Sequence, residues 1–420
     1  MKVIHLSSAD NKGGGARSAY RLHEELNKKN VDSKMYVRNK YSSDDKVIKY
    51  EHFSSPLSKF KQRIRKRLET RGQGYISRQN TIYNGFAPAT SPLGKSPYNQ
   101  LPSADIITLN WVAGFWDYRL LNAMPNKCKK IIWRLSDMHP FTGGCFYDAS
   151  CGKYKTGCGS CPCLDSKKEK DLSRASIGLK RSVIESLPKG FLHIVAQSKW
   201  IAEEIKSSQV FNGIEVTHIA NGIDESEFKP LDRMQSRKSL GIAEDEKVIM
   251  FIAQSLGNPR KGAAYFKEAM EVVGRQIANI TVLAVGADGF GPIDGVKINE
   301  KKDVSSAEEL SACYSAADVY VITSLQDNLP NTVLEAMSCG TPVVGFEVGG
   351  VPDLVENEKS GYLIETKNVQ QLASQVIKLI EQPDLCVEMG SNARKRVLEH
   401  YTISGQTYKY INLYQSLLKE

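Results

Sequence analysis

Two acidic residues stand where carboxylates could take part in chemistry. Asp327 and Glu335 lie in the stretch SLQDNLPNTVLEAMSCGTPVV, on either side of Asn-Leu-Pro-Asn. The run VYVITS before them predicts a strand, and Pro330 suits the first turn of a helix that Gly340 would end. We therefore expect Asp327 in the loop after the strand and Glu335 on the helix.

The first turn of this helix predicts an anion-binding site. Its first N–H groups have no partner within the helix and lie at the positive end of the helix dipole, which favours a bound diphosphate. Glu335 could accept two hydrogen bonds from a ribose diol, and Asp327 could reach the sugar or its phosphate ester. Spacing alone equally allows two solvated acids, with Glu335 in a surface pair. The residues expected at the ligand, besides the N–H group of Val333, are Asn328, Leu329, Pro330, Asn331 and Thr332.

Two cations follow another predicted strand. The stretch VIMFIAQSLGNPRKGAAYF places Arg260 and Lys261 on a loop just before Gly262 and a new helix. Opposite a helix N-terminus, two fixed positive groups would bind a diphosphate and stabilise the negative charge that builds on it as a sugar leaves. The alternative is a pair of surface residues at the end of a loop.

Three glycines follow the first predicted strand. Gly13, Gly14 and Gly15 lie in SSADNKGGGARSAYRL, directly before the first predicted helix, so their backbone could approach an anion. Their spacing is not that of the dinucleotide-binding fingerprint, and a tight turn without a ligand is the alternative.

The elements that must position these residues repeat in both halves of the chain. Short β-branched runs alternate with helical patterns, which predicts an α/β fold with two doubly wound parallel sheets whose strands end at an interdomain cleft. We expect an N-terminal domain over 1–222, a C-terminal domain over 223–395, and a helix over 396–420 that crosses back to the first domain. The polar stretch NGIDESEFKPLDRMQSRKSLGI is the expected linker. The predicted strands are Lys2–Leu6, Lys34–Val37, Asp105–Leu109, Lys130–Leu135, Leu192–Ala196, Val216–Ile219, Lys247–Ala253, Ile280–Val285, Val319–Thr323 and Pro342–Phe346, and helices are predicted over Ala16–Lys29 and Lys199–Ser207.

Composition narrows the class of protein. A length of 420 residues with 41% hydrophobic content favours two domains, and a net charge of +9 suits anionic ligands. The start MKVIHLSS lacks the pattern of a signal peptide, and no uncharged apolar run reaches spanning length, so we expect a cytoplasmic protein. Residues 56–72 carry apolar side chains at helical spacing among many basic ones. Such a helix could contact an anionic membrane at its inner face, or pack its apolar stripe on the domain.

Five cysteines are concentrated in residues 145–163. The Cys-Gly-Ser-Cys turn suits one edge of a tetrahedral zinc site, and a full thiolate shell would make that zinc structural, since no position is left for substrate. Free thiols or disulfides are the alternatives, and Cys163 is the spare residue in the zinc hypothesis. The predicted ligands are Cys145, Cys151, Cys158 and Cys161.

Several linked motifs, spread over nearly the whole chain, resemble those of glycosyltransferase family 4. They read DNLPNTVLEAMSCGTPVVGFEVGGVPDLV, NPRKG, AQSKWIAEEI, ANGIDESEF and CYSAADVYVITS. The resemblance implies the GT-B fold, two Rossmann-like domains facing a cleft, and retaining sugar transfer from a nucleotide donor without a catalytic cofactor or metal. Its acidic motif reads Asp327-x7-Glu335 here, with Asp where Glu is usual. Arg260 is expected to supply a charge that members usually carry where this chain has Gln254.

The first half resembles a bacterial polysaccharide branch of that family. Members often read His-Asp-Met-Trp before the cysteine-rich insert, whereas this chain reads Ser136-Asp137-Met138-His139. Asp137 and His139 are therefore active-site candidates, and an ordinary loop histidine is the alternative for His139.

The resemblance implies a function. We expect a hexose-type sugar to move from a UDP- or GDP-sugar to a saccharide or lipid-linked oligosaccharide acceptor, in bacterial surface polysaccharide synthesis. The alternative class is a zinc-bearing, basic nucleic-acid-binding protein without enzymatic activity. The basic residues are not interleaved with stacking aromatics, so we expect no nucleic-acid partner.

Overall fold

The computed structural model describes residues 1–51, 85–252, 256–286, 289–302, 304 and 306–419. Two of the sequence-based expectations, those for residues 56–72 and for Gln254, concern residues outside these ranges. The chain divides into two compact units, the first formed by 1–220 with 406–420 and the second by 221–405. Each is a parallel-sheet domain with helices connecting its strands.

The first unit contains a seven-stranded parallel sheet in the order β3-β2-β1-β4-β5-β6-β7. Reversal of the strand order at β1 is the mark of a doubly wound, Rossmann-like sheet. Its strands are β1 Lys2–Ala9, β2 Asp32–Asn39, β3 Val47–Lys49, β4 Ile106–Leu109, β5 Lys130–Leu135, β6 Leu192–Ala196 and β7 Val216–His218. Its first helices are α1 Gly14–Lys28, α2 Ser96–Gln100, α3 Leu172–Glu185 and α4 Lys199–Lys206, with 3-10 turns at Tyr118–Asn126, His139–Phe141, Lys153–Thr156 and Pro162–Leu164.

The second unit repeats this topology with six parallel strands in the order β10-β9-β8-β11-β12-β13. The strand order reverses between β8 and β11, so the switch point of this sheet lies where these two neighbours end. The strands are β8 Lys247–Ile252, β9 Ile280–Val285, β10 Val296–Lys301, β11 Val319–Ile322, β12 Val343–Phe346 and β13 Gly361–Ile364. The helices are α5 Arg233–Leu240, α6 Ala263–Gln276, α7 Ala307–Ala316, α8 Asn331–Ser338, α9 Val351–Leu354, α10 Val369–Glu381 and α11 Pro383–His400, with a 3-10 turn at Pro259–Lys261.

The last helix, α12 Ile403–Lys419, belongs to the first unit from residue 406 onward. Its rings Tyr410 and Tyr414 are fully buried in a cluster with Val3 and Ile106. Burial of two large aromatic side chains contributes several kcal/mol, at about 1.5–3 kcal/mol for each side chain. Helix α12 therefore contributes to the core of the first unit, together with β1 and β4.

The α/β prediction is confirmed, and the ten predicted strands are present with ends that shift by at most a few residues. The prediction that the polar stretch is a linker is partly wrong, because α5 lies within this stretch. Arg237 on that helix is buried and donates to Asp318 and to the carbonyl oxygens of Ala316, Glu244 and Glu246. Of the helices in the described ranges, none combines the length and the apolarity needed to cross a bilayer.

Candidate active site

Two loops at the switch point of the second sheet hold the candidate site. One follows β8 and contains the turn Pro259–Lys261, and the other runs from β11 to α8. The strands β8 and β11 pair in parallel, so their carboxyl ends bring the two loops side by side. The amide of Leu325 donates to the carbonyl oxygen of Arg260 at 2.7 Å, and the Thr323 hydroxyl donates to that of Gly262 at 2.9 Å.

Gly262 is required where the loops touch. Its φ is +69°, and a Cβ added there would lie 1.8 Å from the carbonyl oxygen of Thr323. Neither the backbone angle nor the space suits another residue, because L residues avoid positive φ and the neighbouring atom is backbone. This close approach places Arg260 and Lys261 against the loop that carries Asp327.

Asp327, Arg260 and Lys261 form one ionic cluster. Nζ of Lys261 lies 2.7 Å, and Nη1 of Arg260 lies 3.3 Å, from Oδ2 of Asp327. Burial alone would raise the pKa of the Asp327 carboxyl, but the charges of Lys261 and Arg260 outweigh that effect and hold the pKa below its usual value. The aspartate is therefore ionised at neutral pH. The expectation of two surface cations at the end of a loop is wrong for Arg260, which is buried.

A glycine turn after β12 contacts the backbone of Asp327. The Gly350 amide donates to the carbonyl oxygen of Asp327 at 3.1 Å. Gly349 has φ +55°, and a Cβ there would lie 1.7 Å from the same carbonyl oxygen. Sequence analysis missed this turn, although two glycines directly after a predicted strand were a signal for it.

Helix α8 begins one residue later than expected, since Pro330 is its N-cap and Gly340, at φ +76°, follows its end. One prediction about its first turn is wrong. The Val333 amide donates to the carbonyl oxygen of Pro330 at 3.1 Å, so this N–H group is not free for a ligand. Asn328 and Leu329 are buried at the entry to the helix.

The first turn of α8 is also bound to its surroundings through side chains. Tyr320 donates from its hydroxyl to the hydroxyl of Thr332 at 2.8 Å, and Nδ2 of Asn221 lies 3.2 Å from Oδ1 of Asn331. These contacts fix the side chains of Thr332 and Asn331 at the helix start.

Glu335 is a buried helix residue with 4% of its surface exposed. The Tyr314 hydroxyl donates to Oε2 of Glu335 at 3.3 Å. The alternative of a solvated surface pair is therefore wrong. Tyr314 comes from α7, and nothing in the local sequence of either helix indicated the contact.

In the first unit, Asp137 and His139 lie in the loop after β5. The carboxylate of Asp137 accepts hydrogen bonds from the indole N–H of Trp111 at 3.0 Å and from the His139 amide at 2.9 Å. Nε2 of His139 donates to the carbonyl oxygen of Ala87 at 2.9 Å, and its ring stacks on Phe146. Burial and the Lys180 ammonium hold the pKa of His139 well below its usual value, so the imidazole is neutral.

The glycine turn before α1 lies near this loop. Gly13 is the N-cap of α1 with φ +93°, and Gly14 and Gly15 open the helix. A Cβ on Gly15 would lie 3.1 Å from Oγ of Ser136. The structure thus brings the third glycine next to the residue that precedes Asp137.

The cysteine-rich insert forms a compact structure in the first unit. All five of its cysteines line one cavity, and they are free thiols. In the described part of the chain, no three or more His, Cys, Asp or Glu side chains are placed together as metal ligands would be. Lys180 on α3 is fully buried nearby, and burial lowers the pKa of its ammonium to about 7. Sequence analysis did not single out Lys180.

Comparison with known proteins identifies the fold first. Sucrose-phosphate synthase from Thermosynechococcus elongatus superposes with a TM-score of 0.66 at 17% identity, covering 100% of both chains. Anabaena Alr3699/HepE, solved in complex with UDP and glucose, gives a TM-score of 0.65 at 16% identity over 99% of this chain and 100% of that one. Two Rossmann-like parallel-sheet domains with such neighbours define the GT-B fold.

Part of the second unit also matches a family model. Residues 232–396 match the family model described as Glycosyl transferases group 1. N-acetyl-alpha-D-glucosaminyl L-malate synthase of Bacillus anthracis is 24% identical over 210 residues, which is 49% of this chain and 55% of that protein. The Escherichia coli enzyme named UDP-Gal:alpha-D-GlcNAc-diphosphoundecaprenol alpha-1,3-galactosyltransferase is 24% identical over 222 residues, 50% of this chain and 54% of that protein. The chain spans about half the length of the curated relatives it matches. Both of these relatives are named as enzymes, and neither is a nucleic-acid-binding protein.

Proposed function

We propose that this protein is a retaining, metal-independent glycosyltransferase of family 4. It moves a hexose-type sugar from a UDP- or GDP-sugar to a saccharide or lipid-linked saccharide acceptor, in bacterial surface polysaccharide synthesis. The observation that carries the proposal is the cluster of Lys261, Arg260 and Asp327 at the sheet switch point, inside the segment that matches group 1 glycosyl transferases.

The charges of this cluster suit a diphosphate. Two cations and one ionised carboxylate leave a net charge of one positive unit beside the N-terminus of α8, where the helix dipole adds positive potential. Lys261 has 31% of its side chain exposed, whereas Arg260 has 9%. In this proposal the diphosphate reaches Lys261 from solvent, and Arg260 supports it from within.

The lowered pKa of Asp327 bears on its role in the reaction. A carboxylate whose pKa lies below its usual value is a weak base at neutral pH, so it is poorly suited to take a proton from an acceptor hydroxyl. In the proposed reaction the bond between the anomeric carbon and the phosphate oxygen breaks, and the acceptor oxygen bonds to the same face of that carbon. The acceptor proton passes to the departing diphosphate. Asp327 orients the sugar, and the cations stabilise the leaving group.

The other predicted residues have supporting roles in this proposal. Glu335 accepts hydrogen bonds from the ribose diol in addition to the one from Tyr314, since an ionised carboxylate offers about four acceptor positions. Asp137 and neutral His139 are assigned to the acceptor, and Gly13–Gly15 keep the donor-binding role expected from the sequence.

The relatives support the proposed classes of substrate. The Anabaena protein was solved with UDP-glucose, and the Escherichia coli enzyme is named for a diphosphoundecaprenol-linked acceptor. A lipid-linked acceptor would agree with contact between residues 56–72 and an anionic membrane, which remains a part of the proposal.

A panel of nucleotides and nucleotide sugars tests the proposal. UDP, GDP and their glucose, galactose and mannose derivatives are added separately, and the melting temperature is measured. A donor at 100 times its Kd should stabilise the native protein by about 2.7 kcal/mol. The product formed with that donor should keep the anomeric configuration, read by NMR coupling constants, and added Mg²⁺ or Mn²⁺ should leave the rate unchanged. If no nucleotide stabilises the protein and salt-sensitive binding to DNA appears instead, the alternative class is correct.

A further inference from the structure

The cysteine-rich insert combines five thiols with a buried cation. Cys145, Cys151, Cys158, Cys161 and Cys163 line a single cavity of the first unit. Lys180 is fully buried on α3 and donates to the carbonyl oxygen of Thr142, whose hydroxyl donates to that of Cys145. Neither feature has a role in the sugar-transfer reaction proposed above.

The backbone between Cys158 and Cys161 forms a tight turn. Gly157, Cys158, Gly159 and Ser160 all have positive φ, between 43° and 100°. A Cβ on Gly159 would lie 2.2 Å from the carbonyl oxygen of Glu169. Cys158 and Ser160 cost free energy in this region, because L residues other than glycine are strained at positive φ. The insert is therefore folded into one specific tight turn between two cysteines.

Cys158 and Cys161 stand at the two ends of the Cys-Gly-Ser-Cys turn. Burial raises the pKa of both thiols, and nearby backbone N–H groups act against that rise. Zn²⁺ binds the deprotonated form of cysteine, so a bound ion would oppose the effect of burial. Asp171, the N-cap of α3, also accepts from the amide of Cys161 at 2.8 Å and so fixes that residue at the helix start.

Cys163 differs from the other four. Its sulfur lies 3.8 Å from the carbonyl oxygen of Gly85, to which its S–H donates. A thiol that donates a proton to a carbonyl is held in its neutral form. This hydrogen bond favours Cys163 as the cysteine left out of the ligand set.

Lys180 needs a negative charge nearby. Its Nζ donates to the carbonyl oxygens of His139 and Thr142, and it lies 4.9 Å from the centre of the Tyr118 ring. No salt bridge to Lys180 is present among the residues that the structure describes, although an unpaired buried ammonium is costly. Burial lowers the pKa of Lys180, and negative charges on Cys145, Cys158 and Asp137 would act against that shift.

We propose that Cys145, Cys151, Cys158 and Cys161 bind a structural zinc ion and that Lys180 is the buried cation that balances its charge. Four thiols lose their protons to solvent as they bind Zn²⁺, which leaves a centre with two negative charges. The ammonium of Lys180 offsets one of them. Because the sulfurs surround the cavity without being gathered at ligand positions, the side chains converge on the ion when it binds.

The proposed centre also stabilises the loop of Asp137 and His139. Lys180 holds the carbonyl oxygens of His139 and Thr142, and the Thr142 hydroxyl donates to the carbonyl oxygen of Cys145 at 2.6 Å. The ion, the lysine and this loop are thereby joined by a short chain of contacts. The zinc acts on the fold of the loop and takes no part in bond breaking.

Metal analysis of the whole chain tests the proposal without an activity assay. Protein that is purified from zinc-containing medium and then dialysed should contain about one zinc ion per chain, measured by inductively coupled plasma mass spectrometry. Replacing it with Co²⁺ should give the intense visible absorption of a tetrahedral thiolate site. Absence of zinc, iron in its place, an octahedral cobalt spectrum, or disulfides within 145–163 in the intact mass would overturn the proposal.

Variants test the ligand set and the cation. Cys145→Ser and Cys158→Ser should lose zinc, whereas the matched variant Cys163→Ser should retain it. Retention by the first two, or loss by the third, refutes the assignment of ligands. Lys180→Met should release zinc to a chelator at least tenfold faster than the wild type, and Lys170→Met, which removes an exposed charge, should not. If Lys180 does not balance the charge of an anionic centre, Lys180→Met only removes an unbalanced buried charge. The variant would then have a higher melting temperature and release zinc at the wild-type rate, and this result would refute the role of the lysine.

Discussion

Lys261→Met removes the cation through which a donor diphosphate would bind. The side chain keeps nearly the same length but loses the ammonium that lies 2.7 Å from Oδ2 of Asp327. A hydrogen bond to a charged group contributes about 1.5–3 kcal/mol. Since each 1.4 kcal/mol is a factor of ten in affinity, binding of UDP or GDP should weaken roughly 10- to 100-fold.

The same change should have a small effect on stability. Asp327 keeps Arg260 at 3.3 Å, and the lost pair is partly exposed, so solvent screening limits its contribution to at most about 1 kcal/mol. For a domain of this size that corresponds to a fall in melting temperature of about 2–4 °C. Loss of ligand binding by the folded protein can therefore be distinguished from unfolding.

Lys359→Met is the matched control. Lys359 lies in the second unit and pairs with Glu356 at 2.5 Å, but 69% of its side chain is exposed and it is remote in sequence from the cluster. Isothermal titration with the nucleotide that stabilises the wild type, at two salt concentrations, measures both variants. The reasoning is refuted if Lys261→Met binds that nucleotide as tightly as the wild type, or if Lys359→Met loses as much affinity.

Two further predictions concern Glu335 and Gly349. Glu335→Gln keeps an oxygen acceptor for the Tyr314 hydroxyl, whereas Glu335→Ala leaves that buried hydroxyl unpaired. Only the alanine variant should therefore lose about 1–3 kcal/mol of unfolding free energy in denaturant titrations. Both variants should lose most transfer activity, and an active glutamine variant would contradict the ribose role. Gly349→Ala should weaken donor binding at least tenfold, because the added Cβ would move Asp327. The control Gly241→Ala has a similar φ of +69° but open space around it, so it should show only a backbone strain of about 1 kcal/mol. Equal donor binding by the two variants would contradict the proposed support of Asp327 by Gly349.

The sequence predicted the buried strands well because their patterns are local. Ile280–Val285 and Leu192–Ala196 are mainly apolar runs with one polar residue each, as expected of parallel strands covered on both faces, and the structure has the same bounds. The three strands that were missed, Val47–Lys49, Val296–Lys301 and Gly361–Ile364, are all at the edges of their sheets. An edge strand is short or carries polar residues, so its pattern resembles that of a loop.

The candidate site shows a different limit. Spacing placed Lys261 and Asp327 on loops after strands, but these residues are 66 positions apart, and their pairing depends on which strands are neighbours. Contact between Glu335 and Tyr314 similarly depends on how two helices pack. Lys180 was missed because a lysine on a helix usually faces solvent, and its burial follows from the packing of α3 on the 139–142 loop.

An aspartate at position 327 has a consequence for donor binding that follows from its anchoring. The Gly350 amide and the close approach of Gly349 fix the backbone of Asp327, so its short side chain has little freedom. The flexible side chain of Lys261 therefore comes to the carboxylate, and any anion must compete with an internal partner for that ammonium. A ligand with one negative charge gains little by the exchange, because it only replaces one carboxylate by another anion. A diphosphate brings enough charge to bind Lys261 and still interact with Arg260 and the α8 N-terminus, so the internal pair selects for ligands of higher charge.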